Sequence, residues 1–121
     1  MKNLIALFAA ISLLLACDEE VNYDFFVKNN CDKAINVSIV DYMKVETNMT
    51  IVAKEQLLVY SSKGLNKLTN EKVESVFSSI VVTQGNDTSA QNYVDRTKWE
   101  LQAVSDTQAN CYLSIDTTDF R

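Results

Sequence analysis

Histidine is absent from all 121 residues. Without an imidazole there is no histidine general base, proton shuttle or metal ligand, which removes the Ser-His-Asp and Cys-His constellations and the two-histidine zinc motif. Proline is absent too, and glycine occurs only at Gly64 and Gly85. Walker and dinucleotide loops need several glycines within a few residues, so no phosphate cradle can be drawn. Basic residues are the minority, eleven against sixteen acidic ones. That balance lacks the basic footprint that nucleic acid or anionic lipid headgroups require. Neither nucleic acid, cofactor nor metal is expected from this inventory. Long apolar runs are missing as well: the longest segment spans 4–16 and is broken by Ser12, whereas a membrane-crossing helix needs roughly 20 residues.

What is there begins with that segment. Lys2 supplies a positive start, the apolar stretch follows, and a small residue, Ala16, precedes Cys17; these are the parts of a secretory signal. Leu14, Ala16 and Cys17 resemble a lipobox, the processing motif of bacterial lipoproteins. The resemblance implies that residues 1–16 are a removed signal peptide and that the thiol of Cys17 carries a diacylglycerol. The new amino group is then acylated as well. One acyl chain binds membranes marginally, whereas two or three anchor stably, so Cys17 becomes a tether to the membrane. Asp18, Glu19 and Glu20 follow directly. The trio resembles the export signal of Bacteroidetes lipoproteins, which implies the outer membrane and display at the cell surface. A solvated acidic spacer is the plainer reading of the same residues, and in an enterobacterial system Asp18 would favour retention in the inner membrane.

Removal of residues 1–16 leaves 105, the size of one domain. The chain loses Lys2 from its eleven basic residues and none of its sixteen acidic ones, for a net charge of −6. Of the three cysteines, Cys31 and Cys111 remain once Cys17 is lipidated. In an oxidising compartment that pair predicts a disulfide. It would close a loop of some 80 residues and stabilise by roughly 4–5 kcal/mol in the chain-entropy account. Two buried free thiols are the alternative.

From Asn22 onward the apolar period is two, the mark of half-buried strands. Tyr23, Phe25 and Val27 alternate with Asp24, Phe26 and Lys28. Ile35, Val37 and Ile39 follow a bend at Asn29-Asn30 and Asp32-Lys33, so 23–39 reads as a hairpin. Residues 43–48 read as a polar connection. Ile51 to Ala53 and Gln56 to Ser61 read as strands turned by Lys54-Glu55, and 62–70 as a loop. Asn70 as N-cap, Glu71 in the first turn, and Val73, Val76 and Phe77 at helical spacing predict one short helix. Ser79 to Thr83 is a β-branched strand ending at Gly85-Asn86, and 85–96 is a polar surface loop. Trp99, Leu101 and Ala103 mark the next strand, Asp106 to Asn110 a turn, and Cys111, Leu113 and Ile115 the last strand, against Tyr112 and Ser114. Cys31 and Cys111 both fall on the apolar parity, which supports their pairing.

About seven short strands and one short helix predict an all-β, antiparallel β-sandwich over 23–121, preceded by a signal peptide at 1–16 and an acidic tether at 17–22. A barrel, or a sheet with one helix across it, is the alternative. The strand pattern, Phe77-x-x-Ile80, the Tyr93 and Trp99 pair and the terminal Tyr112-x-Ser114-Ile115 run resemble small Bacteroidetes lipoproteins of β-sandwich type. That resemblance bears on address and fold and carries no activity onto particular residues.

Candidate chemistry is sparse. Asp116 with Asp119, or Glu71 with Glu74, are the carboxylate pairs a glycosidase would need. Asn86, Asp87 and Asp95 are the nearest approach to a calcium loop. Tyr93 and Trp99 flank that loop and could stack on a sugar or peptide if exposed, though aromatics at strand positions usually belong to a core. The triplets at Asn36, Asn48 and Asn86 match the N-glycosylation pattern, and Asp116-Thr117-Thr118 resembles a Bacteroidetes O-glycosylation pattern. The expected function is non-catalytic: a lipid-anchored envelope protein that binds another envelope protein or a glycan through Asn86, Asp87, Tyr93 and Trp99 or an exposed sheet edge. An inhibitor module against a secreted hydrolase and a small carboxylate-dependent hydrolase are the alternatives.

Overall fold

The computed structural model describes residues 20–65 and 72–120. Eight strands run β1 (Val21–Asn29), β2 (Ile35–Asp41), β3 (Glu46–Ile51), β4 (Gln56–Leu65), β5 (Phe77–Gln84), β6 (Asp87–Thr88), β7 (Trp99–Ser105) and β8 (Gln108–Ile115). One short helix, α1 (Lys72–Val76), leads into β5, and 3-10 turns cover Arg96–Lys98 and Thr117–Phe120. Two four-stranded sheets, ordered β4-β1-β8-β7 and β3-β2-β5-β6, make an all-β sandwich. Every pairing is antiparallel except β1 with β8, which run parallel.

The alternation read from the sequence decides which side chains go inside. Val21, Tyr23, Phe25 and Val27 of β1, Ile35, Val37 and Ile39 of β2, and Cys111, Leu113 and Ile115 of β8 are all buried. The middle of the core is aromatic. Phe25 meets Phe77 edge-on at 5.0 Å between ring centres and Trp99 at 5.7 Å, and Tyr60 packs against Phe77 at 5.3 Å. Edge-to-face contacts of this kind add to area burial because the ring edge is positive and the face negative.

Several boundaries differ from the sequence reading. Residues 23–39 are not a hairpin: β1 and β2 lie in different sheets. The chain crosses between sheets because Asn29 is buried and tied in place. Its amide nitrogen donates to the carbonyls of Lys33 at 2.8 Å and Ile51 at 3.0 Å, and its amide oxygen accepts the Cys31 N–H at 2.9 Å. Lys54-Glu55 likewise turns the chain between sheets rather than within one, with Lys54 at φ 66°. Residues 43–48 are a tight turn that passes into β3 at Glu46, and β4 extends through Gly64 to Leu65. Val21 and Asn22, assigned to the tether, belong to β1. Residues 1–19, including Cys17, and the expected cap at Asn70 and Glu71 lie outside the described residues.

The expected Cys31 to Cys111 disulfide is absent, and both thiols are buried and free. Parity placed the two cysteines correctly on the core side, but not at the same level. Cys111 faces Phe25 in the β1–β8 pairing, whereas Asn29 faces Ile115 and the Cys31 sulfur sits 3.8 Å from the Ile115 carbonyl. Four residues of strand separate those levels, roughly 13 Å at the usual rise, while a disulfide needs α-carbons within about 7 Å. Burial also pushes the Cys111 thiol up to about 11. Neither sulfur should therefore react with an aromatic disulfide reagent at pH 8 in the native protein, and both should react on unfolding. Colour release by native protein would overturn that.

Candidate functional site

The four residues expected to bind are not brought together. Asn86 and Asp87 are exposed at the β5–β6 turn, where Gly85 takes the left-handed conformation at φ 60°. Tyr93 and Trp99 are core residues, only 2% and 4% exposed. β6 is only two residues long, and the segment after it turns both rings into the core. The Trp99 indole nitrogen donates to the Tyr93 carbonyl at 2.7 Å, the Tyr93 hydroxyl meets that of Ser89 at 2.6 Å, and Trp99 stacks on Phe77. A ligand cannot reach either ring.

Burial pushes the Tyr93 phenol up to about 12, with Asp119 adding to the rise and the Ser89 bond opposing it. Both Tyr93 and Cys111 hold their protons more tightly in the fold than in the open chain, whose reference values are 10.0 and 9.0. Their contribution is complete below pH 9 and is lost as pH rises through about 11 and 12. The urea midpoint is expected to stay level from pH 7 to 9 and fall above it. Tyr93→Phe should flatten the upper part of that fall, and an unchanged slope would refute the assignment.

The carboxylate candidates are occupied locally. Asp119 accepts the Asp116 backbone N–H at 3.0 Å and closes the last 3-10 turn. Asp95 accepts the Thr97 N–H at 2.9 Å and its hydroxyl at 2.8 Å, which holds its carboxyl below the ordinary range. Glu74 is exposed on α1 and Glu71 lies outside the described residues. Among the described residues no three His, Cys, Asp or Glu side chains gather as a metal site. Among the described residues Asp41 is the buried carboxylate, and it accepts the Met43 and Val45 N–H groups at 2.9 Å each and the Tyr60 hydroxyl at 3.2 Å. Burial, followed by the charge of Asp41, raises the Tyr60 pKa.

Among the described residues, two features of the outer sheet faces stand out. A depression of about 410 Å³ on the outer face of β3-β2-β5 is lined by Asn36, Ser38, Asn48, Thr50, Val81 and Thr83. It holds two of the glycosylation-like asparagines but no aromatic ring. Several of its polar groups already bridge strands, Thr50 to Asn36 at 2.7 Å and Ser38 to Glu46 at 3.0 Å.

The other is the outer face of β4-β1-β8-β7. Pairing aligns Leu58, Phe26, Tyr112 and Glu100 in one row across the sheet, and Ser61, Asp24, Asn110 and Gln102 in the next. Phe26 and Tyr112 stack, with ring centres 5.3 Å apart and planes 18° from parallel. Beside them runs a hydrogen-bonded chain. Ser61 donates to Asp24 at 2.8 Å, Gln108 donates to Asp24 at 3.2 Å and to Asn110 at 3.1 Å, and the Asn110 amide donates to the Tyr112 hydroxyl at 3.1 Å. The Tyr112 hydroxyl accepts that bond and retains a hydrogen to donate, and Asp24 keeps lone pairs to spare. At about 4.8 Å between strands the rows are roughly 14 Å across.

Phe26 and Tyr112 stand on the water-facing parity of their strands and are absent from the residues the sequence singles out for binding. An aromatic on the polar side of two strands was the signal available. Comparison with family models, curated proteins and solved structures finds no match to the chain. The fold defines an all-β sandwich protein, an architecture that hosts many unrelated functions.

Proposed function

We propose that this chain is a non-catalytic binding protein of the bacterial cell envelope, anchored through Cys17 to the outer membrane, which takes a neutral saccharide on the outer face of β4-β1-β8-β7. The observation that carries the binding role is the Phe26–Tyr112 stack set beside the Ser61–Asp24–Gln108–Asn110 chain. Sugars present apolar C–H faces and hydroxyl edges. An aromatic surface bordered by a carboxylate and amides suits both, because the rings take the apolar face and the row bonds the hydroxyls. The excess of acidic residues, sixteen against eleven, favours neutral polymers over anionic ones.

Affinity electrophoresis through gels cast with dextran, mannan, galactan or β-glucan tests the binding half. Retardation in at least one gel is expected, weakened about tenfold by Tyr112→Ala, on the scale of 1.4 kcal/mol for a lost aromatic contact. Asp24→Ala should weaken it as well, while Val81→Ala on the opposite sheet should not. Free migration through all four gels would overturn the saccharide assignment. The anchor is tested by mass spectrometry of the mature protein from cells: a diacylated or triacylated Cys17 supports it, and an unmodified thiol refutes it.

A further inference from the structure

We infer that the end of the sandwich where β1 begins lies against a lipid surface, in contact through Tyr42, Met43, Val45 and Val104; the orientation rests on Cys17 as the point of anchorage. These side chains are 62%, 69%, 57% and 59% exposed, half of the eight large apolar side chains that face water among the described residues. They share one end of the molecule. β1 runs from Val21 to Asn29, and Asn29 bonds to Ile51, opposite which β2 begins at Ile35. β2 therefore starts at the far end and returns. The bond between Asp41 and Tyr60, which itself faces Phe25, sets the end of β2 level with the middle of β1, on its way back from the far end. The 42–45 turn extends beyond that level. Val104 closes the other flank in the β7–β8 hairpin, where Ser105 faces Gln108 and Gln108 faces Asn22.

The turn is rigid. Asp41 accepts the N–H groups of Met43 and Val45, Lys44 donates its N–H to the Asp41 carbonyl at 3.0 Å, and Tyr42 donates its N–H to Val76 at 2.9 Å. Lys44 sits at φ 66°, a left-handed conformation that a lysine adopts only at a cost. A braced turn that holds Tyr, Met and Val outward keeps apolar area in water that a partner would remove.

Chain length identifies the partner. Four residue steps separate Cys17 from Val21 and span at most roughly 14 Å. An acylated Cys17 thus holds this end within that distance of the bilayer. Tyrosine belongs to the headgroup belt, where one end of the side chain is apolar and the other wet. Glu46 and Asp106 flank the apolar residues and Lys44 lies among them, so this end carries no basic cluster of the kind that anionic lipid attracts, and zwitterionic lipid suits it.

The test couples residues 17–121, which contain every described residue, through the Cys17 thiol to a maleimide lipid in phosphatidylcholine vesicles with brominated acyl chains. Anchorage is then chemical, so the result stands whether or not cells acylate Cys17. Met43→Trp is expected to be quenched several-fold more by bromine than Lys54→Trp at the opposite end, and to shift to the blue; buried Trp99 supplies a constant background. Urea curves for both variants check that each is folded. Equal insensitivity of the two probes would overturn the inference and assign the apolar turn to a protein partner. Equal quenching of both would also overturn it, by showing no preferred orientation.

Discussion

Asn29→Asp is expected to abolish cooperative folding at neutral pH, or to leave it at least about 3 kcal/mol weaker. Asn29 is wholly enclosed, and its amide uses two donors and one acceptor on three separate backbone groups. Aspartate keeps the shape and the acceptor for Cys31 but cannot donate to the Lys33 and Ile51 carbonyls. Its oxygens would face those carbonyls, and an ionised carboxylate without a partner in the interior is among the costliest groups a fold can carry. Asn29→Ala removes the charge problem but leaves three backbone groups unpaired, each costing on the order of 1–3 kcal/mol. Urea titration at pH 7 and at pH 5 separates the two causes. The aspartate variant should regain stability as acid protonates it, and the alanine variant should not. Wild-type midpoints for both would refute the role assigned to this amide.

Phe25→Ala is expected to destabilise by roughly 3–5 kcal/mol, the range for an aromatic excised from a packed interior. Phe25 sits where both sheets meet and touches Tyr23, Tyr60, Phe77 and Trp99. The surrounding rings belong to four strands and cannot close on the hole together. For a domain whose whole stability is about 5–15 kcal/mol, that is a large share. Phe26→Ala, one residue along and on the other face, should cost less than about 1 kcal/mol while weakening saccharide retardation. Thermal melts of the two variants side by side give the comparison. Equal losses would mean that the outer rings hold the fold together, and the binding role argued for them would have to be withdrawn.

The inward and outward assignment of β1, β2 and β8 was legible because a period of two is a local property, set by the pleat of each strand. Pairing was not. Alternation says nothing about which strand lies alongside which, so two strands joined by Asn29-Asn30 and Asp32-Lys33 read as a hairpin, although the buried amide of Asn29 sends the second strand to the other sheet. The cysteines failed for a related reason: parity fixes a side chain's face and leaves its height along the strand open. Tyr93 and Trp99 misled because a polar loop lies between them, and nothing local foretold that β6 would stop after two residues and let the chain fold its rings inward. The Phe26 and Tyr112 stack was half legible. Each ring stood on the polar parity of its strand, but their adjacency depends on a parallel pairing between residues more than eighty positions apart.

That parallel pairing governs how the protein comes into being. β1 is an inner strand of its sheet, yet one of its two neighbours is β8, so a ribosome that has not reached Gln108 has supplied only one flank of it. Contacts this distant in the chain close late and slowly. Until β8 has been made, the β4-β1-β8-β7 sheet therefore cannot close around β1.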